Sequence, residues 1–146
     1  MKTKKITIGC DHAGYELKLK IIAHLNERGV EVIDVGTNST DSCNYPQFGH
    51  ALATAIEAGE HTRGIAICGT GNGINMSVNH HRGIRGALCW QAEIAELARQ
   101  HNDANILVMP GRFITDEEAR KCVDAFLDTP FEGGRHIARI EAIPVK

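Results

Sequence analysis

The 146-residue chain is predicted to form a Rossmann-like, three-layer α/β/α sandwich around a five-stranded parallel sheet. Two observations carry this. Short apolar runs alternate with amphipathic segments along the whole length. The runs are apolar at nearly every position, as strands covered on both faces require, and helices between them make parallel crossover units. Each crossover should be right-handed. No repeat, low-complexity tract or internal linker interrupts the pattern, so residues 1–146 are expected to form a single domain.

The elements follow in order. KKITIGC (residues 4–10) is β-branched and ends in glycine, which makes it the first strand. In residues 15–28, Leu17, Ile21 and Leu25 recur every four positions on one helical face, and Gly29 supplies the stop. EVIDVG is the second strand. The polar loop TNSTDSCNYPQ precedes a helix ending near Gly59. GIAICG (64–69) is the third strand, a short helix starts near Gly73, and GALCW (86–90) is the fourth strand. A helix covers 91–100, and ILVMPG is the fifth strand. Thr115 and Glu118 form a capping box for a helix running to Leu127, and a last helical segment covers 134–143.

Composition narrows the function. The chain is 42% hydrophobic and 23% charged, ordinary for a soluble globular protein. Its net charge of −2 gives no basic excess for nucleic acid or an anionic membrane. With 5% aromatic residues there is no obvious base-stacking surface. No stretch approaches the roughly 20 apolar residues of a membrane span, and the N-terminus meets Cys10, Asp11 and His12 before any signal-like apolar core forms. The expected compartment is the cytoplasm. Five cysteines at 10, 43, 68, 89 and 122 are odd in number and lack CxxC spacing, so they form neither a disulfide framework nor a zinc site. Most read as small buried apolar residues.

In parallel α/β folds, ligands bind beyond the carboxyl ends of the strands, near a topological switch point. The first strand ends in Cys10-Asp11-His12. Asp11 can orient a ligand or simply cap the next helix. The third strand ends in Cys68-Gly69-Thr70-Gly71-Asn72-Gly73. This is neither a Walker A loop nor a dinucleotide fingerprint. Alternating glycines at a strand-to-helix turn nevertheless expose backbone N–H groups that can hold an oxyanion beside the Cys68 thiol. The bland alternative is a tight turn over a buried cysteine. His101 ends the fourth helix, where it can be an acid–base group or a favourable charge at a helix C-terminus. Arg112 follows the fifth strand. Arg135 and Arg139 lie four apart, so they can grip one anion or form a solvated face with Glu132 and Glu141. Among eight histidines there is no HExxH or similar spacing, so no metal site and no cofactor are expected; His24, His50 and His61 read as surface residues.

Taken together and in order, GCDHAGYELK, DSCNYP, ICGTGNG, RQHNDANIL and EGGRHIARI resemble the type B ribose-5-phosphate isomerases, a family that also includes galactose- and allose-6-phosphate isomerases. The resemblance runs from Lys4 to about Ile143. It implies a cofactor-independent aldose–ketose isomerase of the pentose phosphate pathway, acting through an enediolate. Cys68 would be the base that moves the proton between C1 and C2, and His101 would open the furanose ring. Thr70 would assist proton transfer at the sugar oxygens. The backbone of Gly69, Thr70, Gly71, Asn72 and Gly73 would hold the enediolate oxygens. Asp11, Tyr45 and Asn102 would contact sugar oxygens, while His12, Arg112, Arg135 and Arg139 would hold the phosphate. The resemblance also implies a homodimer or tetramer with sites shared between subunits, so that His101 and Asn102 can serve a neighbour's Cys68.

One branch of the family replaces the cysteine and uses a glutamate from the glycine-rich loop. Cys68 and the absence of a carboxylate from that loop put this chain in the cysteine branch. Asn72 departs from the apolar residue expected there, which bears on the loop's hydrogen bonding. The nearest rival keeps the mechanism and takes a hexose 6-phosphate (allose or galactose). Further away stand a non-catalytic sugar-phosphate-binding module and a flavodoxin-like binder of nucleotide or flavin.

Overall fold

The structure is a computed structural model that describes residues 4–59 and 63–145. His61, read above as a surface residue, lies outside the described residues. The elements are β1 Lys5–Cys10, α1 Tyr15–Glu27, β2 Glu31–Asp34, α2 Tyr45–Glu57, β3 Gly64–Cys68, α3 Asn72–Asn79, β4 Gly86–Leu88, α4 Ala92–Asn102, β5 Ile106–Pro110, α5 Asp116–Asp128 and α6 His136–Glu141. A single 3-10 turn at His12–Gly14, absent from the sequence reading, leads into α1.

All five strands pair in parallel, in the order β2-β1-β3-β5-β4. Side chains alternate across the sheet and divide the core in two. Ile6, Ile8, Ile65, Ile67, Leu107 and Met109 pack under α1, α4 and α5. Ala66, Cys68, Ile106 and Val108 pack against Leu52, Ala53 and Ile56 of α2 and Ile74 and Val78 of α3. Burial on both faces explains why the central strands read as unbroken apolar runs. Each fully buried Ile or Leu contributes roughly 1.5–3 kcal/mol by leaving water.

The order has two reversals. From β1 the chain moves outward to β2 and returns to β3 on the other side, making a switch point between β1 and β3. It then passes over the site of β5 to lay down β4 at the edge, and comes back inward. Neither reversal is legible in the order of apolar runs.

Local chemistry sets the boundaries. Gly29 ends α1 at φ +73°, and the Val30 N–H closes the turn on the Leu25 carbonyl at 2.9 Å. The Thr115 hydroxyl accepts the Glu118 N–H at 3.2 Å, which is half of the expected capping box. The other half is not made. The Glu118 carboxylate accepts from the Ala92 N–H at 2.9 Å and so caps α4 instead of its own helix. Lys18, with 1% of its side chain exposed, pairs with Asp34 at 2.8 Å and donates to the Thr37 carbonyl. That contact ties the polar loop after β2 to α1. His24 is not a free surface residue: it faces Asp124 at 2.7 Å, beside Arg28 on the same carboxylate.

Candidate active site

Two turns converge at the switch point. The Asp11 N–H donates to the Ile67 carbonyl at 3.3 Å, and the Gly111 and Arg112 N–H groups donate to Cys68 and Gly69 at 2.8 and 3.0 Å. The carboxyl ends of β1, β3 and β5 are therefore fastened into one rim. Cys68 is its buried floor, 4% exposed. A Cβ on Gly69 would meet the Arg112 side chain at 3.5 Å, so that guanidinium lies over the glycine-rich turn. A Cβ on Gly73 would stand 2.5 Å from Tyr45 Cζ. The missing side chain is thus what lets the tyrosine ring fold over the turn.

Gly71 adopts φ +80° at the N-cap of α3, a left-handed conformation that favours glycine. The Asn72 N–H is turned back onto the Thr70 hydroxyl at 3.2 Å. Among the described residues the N–H groups of Gly69, Thr70, Gly71 and Gly73 have no acceptor. Beside the Cys68 thiol, they can receive an anionic oxygen.

Asp11 makes the capping contact with one carboxylate oxygen, which leaves the other available to a ligand. Its Oδ1 accepts from the Ala13 and Gly14 N–H groups at 3.0 and 3.1 Å. His12 is oriented as well, because its Nδ1 accepts the Cys43 N–H at 3.2 Å. His12 and Arg112 share a polar cavity of about 350 Å³ with Glu16, Lys20, Thr40 and Asp116. No acidic side chain pairs with Arg112 among the described residues. Cys10, Cys89 and Cys122 are buried, and loss of hydration pushes each thiol up to about 12. That keeps all three as neutral packing groups.

The remaining predicted residues sit elsewhere. α4 runs back down the sheet, and its end is fixed at the opposite rim: the Asn105 N–H donates to Arg85 at 3.0 Å, just ahead of β4, and the Gly64 N–H donates to Asn105 at 2.8 Å. His101 and Asn102 occupy the last turn of α4. α6 packs beside that helix, so Arg135 and Arg139 stand at the same end. The four cations expected on one phosphate therefore divide, within one chain, into His12 with Arg112 and Arg135 with Arg139. Asn102 borders an apolar cleft of about 410 Å³ beside the edge strand β4.

Glu132 does not pair with either arginine. Its Oε1 lies 3.7 Å from His101 Nε2 and 3.5 Å from His136 Nε2. The imidazoles of His101 and His136 are stacked, with centroids 4.6 Å apart and planes 20° from parallel. Sequence spacing missed this trio because its members come from α4, the loop between α5 and α6, and α6 itself. The available signal was the Gly133-Gly134 pair between Glu132 and His136. Both glycines have positive φ, +71° and +58°, and fold the chain back on itself. The three groups could be read as metal ligands, since their ligand atoms lie within 4.8 Å of one another. Two stacked rings cannot both aim an in-plane lone pair at one ion, so this arrangement does not favour one.

Fold and rim define a class: a doubly wound α/β protein whose switch-point site presents a thiol, unpaired backbone N–H groups and cations to a small anionic ligand. The sequence matches the Ribose/Galactose Isomerase family over residues 6–143. The chain belongs to that family. It is 50% identical to ribose-5-phosphate isomerase B of Escherichia coli over 140 residues, covering 96% of this chain and 94% of that protein. It is 45% identical to a probable ribose-5-phosphate isomerase B of Mycoplasma pneumoniae, covering 94% of this chain and 91% of that one. Among solved structures, ribose-5-phosphate isomerase B of Clostridium thermocellum superposes with a TM-score of 0.94 at 47% identity, covering 95% of this chain and 94% of the other. The Mycoplasma genitalium enzyme, solved with bound ribulose-5-phosphate, gives 0.91 at 42% identity, covering 95% and 93%.

Proposed function

We infer that the chain interconverts ribose 5-phosphate and ribulose 5-phosphate through an enediolate, the aldose–ketose step of the non-oxidative pentose phosphate pathway. The observation that carries this reading is the Cys68 thiol set against the unpaired N–H groups of Gly69, Thr70, Gly71 and Gly73, with Arg112 above them. Family membership and the M. genitalium enzyme's bound sugar support the choice of substrate.

In this mechanism the phosphate anchors the open-chain sugar, and its binding energy positions the reacting carbons. The Cys68 thiolate takes the C2 proton. The electron pair left behind forms the C1–C2 double bond, and negative charge collects on O1, where the turn's N–H groups receive it. Thr70 passes the O2 proton towards O1, and the thiol returns its proton to C1, leaving the carbonyl at C2. Tyr45 closes over the turn, while Asp11 and His12 complete the sugar and phosphate contacts. His101 opens the furanose, Asn102 holds a sugar oxygen, and Arg135 and Arg139 complete the phosphate clamp.

These last four come from a second copy of the chain. Catalysis needs reacting groups roughly 3–3.5 Å apart, and a single chain holds His101 and Cys68 at opposite rims. We therefore propose a homodimer, or a tetramer built from such dimers, in which the N-terminal rim of one copy meets the C-terminal rim of the next. The five free cysteines support a cytoplasmic setting. No described helix is long and apolar enough to cross a membrane.

Turnover on ribose 5-phosphate, allose 6-phosphate and galactose 6-phosphate tests the reading. The expected result is kcat/KM highest on the pentose. A higher value on either hexose would reassign the substrate, and binding without turnover on all three would remove the catalytic reading.

A further inference from the structure

We propose that Glu132 and His136 are positioning residues that hold the His101 imidazole in one orientation and one tautomer for opening the sugar ring. The proposal rests on the reading of His101 as the ring-opening group. His101 itself is 40% exposed and needs external support to keep one rotamer. That support comes from two directions. His136, 6% exposed, stacks on one face of the ring and has no hydrogen-bond partner for its buried Nε2. The Glu132 carboxylate faces both Nε2 atoms from a loop that is itself fixed, because the Glu132 N–H donates to the Gln100 carbonyl at 3.1 Å.

The frame beneath His101 is equally constrained. Arg99 is buried and donates to Asp103, Ala104 and Thr129, which locks the end of α4 to the start of the loop. The Glu-Gly-Gly-Arg-His sequence then acts as one device. Two left-handed glycines reverse the chain so that residues 132 and 136 approach α4 together. A β-carbon at either glycine would strain that reversal.

At 3.7 Å the Glu132 carboxylate is at ion-pair rather than hydrogen-bond distance from His101 Nε2, and its negative charge favours the proton on that nitrogen and leaves the Nδ1 lone pair free. The ring-opening step then moves one proton. It leaves the anomeric hydroxyl for Nδ1 as O1 forms the carbonyl, and it passes from Nδ1 to the ring oxygen as the bond from that oxygen to C1 breaks. No net proton is consumed.

The test uses the full chain carrying Glu132→Ala, Glu132→Gln or His136→Ala, with two activity readouts. One is kcat and KM on ribose 5-phosphate, which is mostly ring-closed. The other is deuterium uptake from D2O at C1 of ribulose 5-phosphate, whose phosphorylated O5 cannot close a five-membered ring. For Glu132→Ala and His136→Ala, kcat on ribose 5-phosphate should fall at least about 10-fold, with KM changed less than about threefold and deuterium uptake within about twofold of wild type. Nitrogen-15 spectra of His101 should show the Nε2–H tautomer in the wild type and a mixture in Glu132→Gln. Equal loss in both activities, or unchanged kcat, would overturn the positioning role. A His101→Ala chain that loses both activities equally would remove the ring-opening reading beneath it. A wild-type chain with no deuterium uptake would instead remove the isomerase reading.

Discussion

Mixing two inactive variants, Cys68→Ala and His101→Ala, should restore activity. The reason is the distance along the sheet. Cys68 pairs with Pro110 and Gly64 with Ile106, four strand steps apart, which at about 3.3 Å per residue is roughly 13 Å. His101 lies nine positions beyond Ala92, where α4 begins, which at about 1.5 Å per residue is roughly 14 Å. The two estimates agree that one chain separates the thiol from the imidazole by several times the reach of a proton transfer. In the proposed two-fold dimer each site would take Cys68 from one chain and His101 from the other. A Cys68→Ala chain paired with a His101→Ala chain therefore has one site with both substitutions and one with neither. Random equal mixing makes half of the dimers mixed, so about one quarter of all sites are intact. Isomerisation of ribose 5-phosphate, measured after co-expression or co-refolding, should reach about 25% of wild type, and about 50% in mixed dimers isolated through two different affinity tags. If verified mixed dimers are no more active than the parents, the shared-site reasoning is wrong.

Other consequences follow from single residues. Gly73→Ala should raise KM by displacing the Tyr45 ring, while the end of an exposed side chain yields cheaply and stability falls by only about 1 kcal/mol. Gly14→Ala meets the Ile67 carbonyl at 2.6 Å, where backbone cannot yield, so urea titration should show a loss of about 3 kcal/mol or more. The hydrogen bond from His81 holds the Glu57 carboxyl below its ordinary 4.5. Because the folded value is depressed, its stabilisation is present above about pH 4.5 and lost as pH falls through the folded value. The drop in urea midpoint from pH 5 to pH 3 should shrink in Glu57→Gln. At pH 8, alkylation of the native chain should reach partly exposed Cys43, while Cys10, Cys89 and Cys122 react only on unfolding, as peptide mapping would show.

The layers and the glycine-rich rim beyond β3 were legible, the layers because hydrophobic burial writes itself locally, whereas the placing of His101, Arg135 and Arg139 at the opposite rim was not. Ile65, Ala66 and Ile67 are apolar in succession because one face of β3 meets α1 and the other meets α2. The glycines of the Cys68 turn carried a similar signal, since Gly71 and Gly73 answer to a positive φ and to the Tyr45 ring. Strand order was not legible: whether β4 or β5 lies at the edge depends on which crossover passes over the other, and both runs are equally apolar. Glu118 looked like the partner in its own helix's cap and is the cap of another, because the N–H it satisfies is 26 residues away in sequence. Glu132 was read against Arg135 and Arg139 for the same reason. Proximity along the chain suggested a charge pair where the fold places two imidazoles.

If half of each site lies at each end of the sheet, as proposed, occupancy is linked to association. If the substrate bridges a thiol from one chain and an imidazole from another, it binds the pair more tightly than either chain alone, and it must tighten the pair by the same factor. Specific activity would then fall on dilution at low sugar phosphate and hold at high sugar phosphate. In that assembly the enzyme's own concentration would be a variable of its rate law.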